Sequence, residues 1–161
     1  MSRRNGRILA FQALYAYDVG GLSLEELLKF EWLKNDFSSE KPLIAINPKG
    51  TELETDDEDE SEENDSEAED FARILIAGTV NHIDEIDSQI KAHLSEKWEI
   101  GRINRVSLAV IRLSTYSLLF QKDLAPSIVI DEAVALTKIF GEDNSYKFVN
   151  AILDSIRKAN A

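Results

Sequence analysis

Three arginines at the start of the chain are the residues most able to do chemistry. Arg3, Arg4 and Arg7 stand among the first 17 residues, which hold no acid. On a helix Arg3 and Arg7 fall one turn apart on a shared face, with Arg4 about 100° round from Arg3. A planar guanidinium fork can pair bidentately with phosphate or stack on a base. The plain alternative is a few solubilising charges at a chain end. Three phosphate contacts to a single strand give a salt slope of only about 0.7 each, so such a face grips weakly and needs a partner to complete the site. Other chemistries find less support. No G-x-x-x-x-G-K-[ST] or G-x-G-x-x-G run is present, which excludes nucleotide binding by those routes. His82 and His93 are eleven residues apart, a spacing that matches no helical ligand pair, so no metal is expected. The acid pairs Asp131-Glu132 and Glu142-Asp143 read as partners of helix dipoles or solvated surface. No nucleophile stands with a histidine and an acid, and cysteine is absent, so no catalytic residue and no cofactor is implied.

The elements that must carry these residues read as helices throughout. Residues 3 to 17 place Ile8, Phe11, Leu14 and Tyr15 on one stripe, against the single objection of Gly6. Gly20-Gly21 closes that helix, and Ser23-x-x-Glu26 is a capping box opening a second one towards Leu33. Periodicity returns at Phe71, Ile74 and Leu75 and runs on through Ile83, Ile86 and Ile90 to Leu94. After Gly101 a helix around Val106, Val110 and Leu113 is apolar nearly all round, which predicts a central, buried element. Pro126 starts the next, Gly141 caps it, and Val149, Ile152, Leu153 and Ile156 mark the last. The fold class is all-α, as one compact domain or two small helical subdomains sharing a core.

The pattern fails from about 35 to 66, where Pro42, Pro48 and Gly50 lead into an acid run. Thirteen of the 19 residues from 52 to 70 are acidic, so the net charge of −12 belongs largely to that segment. Of 30 acids and 18 bases in all, the rest of the chain keeps 17 acids against the same 18 bases and is near neutral. The reading is a disordered acidic insertion of self-repelling charge, dispensable for folding. No apolar run reaches the length of a membrane span and no signal peptide is read, which makes a cytoplasmic address the simple expectation.

Several stretches together resemble the NusB family. They are Arg4-x-x-Arg7-x-x-Ala10-x-Gln12-Ala13-Leu14-Tyr15, Ile83-x-x-Ile86-Asp87-x-x-Ile90, and Arg102-x-x-Arg105 running on to Arg112 and Tyr116. The most specific are Ile130-Asp131-Glu132-Ala133-Val134 through Phe140-Gly141 and Lys147-Phe148-Val149-Asn150. The resemblance covers everything outside about 35 to 66, in order. It implies a fold of two small helical bundles packed together, residues 1–98 and 99–161, and a transcription antitermination factor that binds boxA RNA as a heterodimer with the ribosomal protein NusE. It further implies a place in the RNA polymerase antitermination complex, chiefly for ribosomal RNA operons. It puts RNA contacts on Arg3, Arg4, Arg7, Phe140, Asn144 and Phe148, and the partner face on Tyr15 and around Ser107. The family usually has an acid where Ser107 stands, and an acid is also common at Asn144. From the residues alone, Phe140 and Phe148 are either stacking faces for unpaired bases or core. Two alternatives accompany this: a relative of the NusB-like domains fused to RNA methyltransferases, and a protein-interaction module or homodimer without RNA activity of its own.

Overall fold

The computed structural model describes residues 2–30, 62–95 and 99–160. Seven α-helices and one 3-10 turn, at Ile100–Arg102, make up the described residues, with no strand among them. Most of the insertion expected over about 35–66 lies outside them.

Helix α1 (Ser2–Gly20) buries Ile8, Ala10, Phe11, Ala13 and Leu14. The helix tolerates Gly6 because α3 crosses there. A Cβ at residue 6 would lie 2.7 Å from Phe71 Cδ1 and 3.0 Å from the Ala68 carbonyl oxygen. Helix α2 (Leu24–Leu28) opens on the expected capping box, with Ser23 Oγ accepting from the Glu26 N–H at 3.3 Å. It stops short of Leu33, because Phe30 takes a left-handed conformation (φ 55°). Tertiary contacts hold that conformation: Phe30 is buried, Arg73 lies 5.0 Å over its ring, and Arg73 Nε–H donates to the Leu28 carbonyl at 3.2 Å.

Helix α3 (Glu62–Asn81) begins well before Phe71, inside the acid run. The long periodic stretch that follows is two helices, since His82 forms a turn before α4 (Ile83–His93).

Helix α5 (Arg105–Phe120) is the expected central element, buried on nearly every side. Asn104 caps it, its Oδ1 accepting from the N–H groups of Val106 and Ser107 at 3.0 and 3.4 Å. Helix α5 packs on α1, α3, α4, α6 and α7. Helices α6 (Pro126–Phe140) and α7 (Ser145–Ala159) pair with each other and against α5, while α1 and α3 form the most extensive pairing. The result is two bundles sharing one continuous core. Helix α4 precedes residue 98 yet packs on α5 and α7.

A charge network ties the halves together. Arg112 donates through Nε and Nη2 to both oxygens of Asp87 at 2.9 Å, joining α5 to α4. Asp18 at the end of α1 takes Arg105 at 3.2 Å and lies 3.9 Å from Arg112. Among the described residues no helix is long and apolar enough to cross a membrane. Likewise, no group of three or more His, Cys, Asp or Glu there could hold a metal.

Candidate nucleic-acid interface

The amino-terminal turns of α1 lie between α3 and α6. Phe71 of α3 meets Gly6 and sits under two guanidinium groups, with Arg3 6.0 Å and Arg7 5.6 Å from its ring centroid. From the other side, Glu132 of α6 accepts from Arg4 Nη2 at 3.3 Å.

The three arginines therefore differ in kind. Arg3 and Arg4 are exposed; Arg7 is only 8 % exposed. The shared face expected of Arg3 and Arg7 therefore splits, leaving Arg3 and Arg4 as an exposed pair above a buried Arg7. The physical reason lies in the spacing, since residues 7, 11 and 14 share the stripe that faces the core. Burial pushes the Arg7 guanidinium below its ordinary pKa, with Glu132 opposing and Arg3 and Arg4 reinforcing. A cation this deep fits an apolar pocket by stacking on Phe71, where its weakly hydrated plane loses less than an ammonium would.

The second cluster of expected RNA residues stands at the α6–α7 junction. Phe140 is buried, its ring 5.2 Å from Phe11, so the core reading holds for it and it presents no stacking face. Phe148 is half-buried and packed against the core. Asn144 is exposed with φ 69° immediately before α7. The left-handed region favours short polar side chains, which accounts for an Asn or an acid at this position.

The sequence reading missed Lys138 and Tyr146. Lys138 Nζ lies 4.7 Å over the Tyr146 ring, with exposed Lys147 beside it, so the junction carries a cation and a half-exposed aromatic. Tyrosine carries a hydroxyl that favours water and phenylalanine carries none, and that distinction was the available signal. The Arg4–Glu132 and Phe11–Phe140 contacts run in the same order along α1 and α6. Seven residues of helix separate Arg4 from Phe11, about 10 Å. The arginine pair and the junction thus mark two ends of one seam and do not touch.

Tyr15 is half-buried on α1, one turn before Asp18, where α1 meets the start of α5. Ser107 is 2 % exposed, and its hydroxyl has no hydrogen-bond partner among the described residues. It lies under this seam without presenting its hydroxyl to solvent. The acid pairs lie outside the first turn of α6: Glu132 faces Arg4, and Glu142 accepts from Asn104 Nδ2 at 3.3 Å.

Comparison with known proteins places this arrangement. Residues 4–158 match the NusB family. The transcription antitermination protein NusB of Treponema denticola is 45% identical over 157 residues, covering 98% of this chain and 96% of that one. That of Treponema pallidum is 40% identical, covering 99% and 94%. Among solved structures, T. maritima NusB superposes with a TM-score of 0.74 at 33% identity, covering 99% of this chain and 92% of that one. A structure of the antitermination factors NusB and NusE in complex with dsRNA gives 0.71 at 30% identity, covering 98% and 97%.

Proposed function

The chain belongs to the NusB family, and from that premise we propose that it is a transcription antitermination factor binding boxA RNA as a heterodimer with the ribosomal protein NusE. It then serves the RNA polymerase antitermination complex on ribosomal RNA operons. It works in the cytoplasm and by binding, with no catalytic step. The observation that carries this reading is the exposed arginine pair on α1, Arg3 and Arg4, braced by Phe71 and by the buried Arg7. Phosphate contacts from that pair position the strand, while the α6–α7 junction, with Asn144, Tyr146, Lys138 and Lys147, takes an unpaired base. The partner face is the α1–α5 seam around Tyr15, above Ser107.

Two exposed arginines are too few for tight binding alone, so the partner completes the site. The test is a titration of single-stranded boxA RNA and a scrambled control with this protein, with NusE, and with both. The pair should bind boxA more tightly than either protein. Equal affinity with and without NusE would mean a complete site on this chain. Absence of binding in every arm would favour the protein-interaction module or homodimer, which a sizing run would then separate.

A further inference from the structure

Glu132 is the acid that closes on the arginine pair. It stands in the second turn of α6, past the positions where a helix dipole would reward a carboxylate. Its side chain is 21 % exposed while that of its partner Arg4 is 61 % exposed. The acid is therefore held by the fold and the cation is free to leave. Its carboxylate also supports the charge of Arg7 from the same side. A phosphate that engages Arg4 fully must take over the Nη2 contact this carboxylate holds.

We propose that Glu132 is an intramolecular competitor for phosphate, occupying Arg4 in the free protein and setting how strongly the α1 face holds RNA. The proposal rests on the RNA reading above and adds to it a determinant of affinity. Phosphate contacts carry no sequence information, so Glu132 restrains binding to any strand by the same factor. A half-exposed ion pair has a modest strength, so releasing Arg4 corresponds to about a two- to five-fold gain in affinity at low salt. The salt slope should steepen by up to about 0.7 as Arg4 engages phosphate fully.

The experiment is a double-mutant cycle on the full chain with NusE present. Glu132→Gln, Arg4→Ala and the double variant are titrated with single-stranded boxA RNA and with oligo-uridine of equal length. Expected are a two- to five-fold gain for Glu132→Gln on both RNAs, a loss for Arg4→Ala, and no gain when Glu132→Gln is added to Arg4→Ala. Melting temperature is measured on each variant. If Glu132→Gln fails to fold, Glu132→Asp, one methylene shorter, should give a smaller gain in the same direction. If Arg4→Ala weakens binding but the Glu132 variant is neutral or weaker, the competitor is overturned and the RNA reading stands. If Arg4→Ala changes nothing, Arg4 is no RNA contact and both fall. A gain that persists without Arg4, or appears on boxA alone, also overturns the proposal.

Discussion

Arg4→Ala and Arg7→Ala, made separately, should fail in opposite ways. Arg7 packs against Phe71 at 5.6 Å and is nearly covered, so its truncation removes a desolvated cation–π contact and leaves space beside Gly6. That contact alone is worth about 0.5–2 kcal/mol. The space left by the truncated side chain adds a cavity cost, and release of a cation whose pKa is lowered by burial offsets part of the sum, leaving about 1–2 kcal/mol. For a chain of this size each kcal/mol shifts the melting temperature by about 2–4 °C, so a fall of about 2–8 °C is expected. Arg4 is mostly exposed and its pair with Glu132 is worth under about 1 kcal/mol, so Arg4→Ala should melt within about 4 °C of the parent. Its effect belongs to RNA instead. Losing one phosphate contact lowers the salt slope by about 0.7, so a rise from about 50 to 200 mM salt weakens the parent about 2.6-fold more than the variant. Circular-dichroism melting and fluorescence anisotropy on boxA with NusE read the two effects independently. An Arg7→Ala protein with the parent's melting temperature, or an Arg4→Ala protein with the parent's slope, would refute the division between them.

Asp87→Ala should cost about 1–3 kcal/mol by orphaning the largely buried Arg112, since Asp18 at 3.9 Å is a poor substitute for a bidentate partner. Adding Arg112→Met should recover most of that loss in thermal melts; a double variant as unstable as the single would show that the pair itself matters. Phe140→Ala should lower stability by about 3–5 kcal/mol through loss of its packing on Phe11. Tyr146→Ala should instead leave melting nearly unchanged and weaken RNA binding by about 1–3 kcal/mol, measured in the same titrations; the reverse pattern would return the stacking role to Phe140.

Helical periodicity made most elements legible because it is imposed by the core they share. The α5 helix, buried nearly all round, and the Ser23 capping box both appear where the spacing predicts. The misplaced ends have tertiary causes. Helix α2 ends at Leu28 because Phe30 is held left-handed by Arg73, a residue 43 positions away. Gly6, the apparent flaw in α1, is where Phe71 and the Ala68 carbonyl approach, and no local pattern reports a crossing point. The start of α3 was hidden because it falls inside a run of like charges, which reads as a self-repelling loop.

The site was legible as residue types but not as exposure. Counting charges credits α1 with three equivalent cations, yet the fold spends one on Phe71 and engages another with Glu132. Arg7 could have been set apart, since it shares the 7, 11, 14 stripe with Phe11 and Leu14. Glu132 could not, because its partner is 128 residues away. The same holds for the aromatics: Phe140 follows the core spacing of α6, while Tyr146 gains its cation only through the turn that brings Lys138 over it. What remains exposed is a small, partly neutralised cationic patch at one end of a seam and an aromatic–lysine pair at the other. On the proposed function, neither end should hold RNA strongly alone. A partner seated on the adjoining α1–α5 seam would add contacts to both ends at once, and for that reason binding should depend on the partner more steeply than on any single arginine.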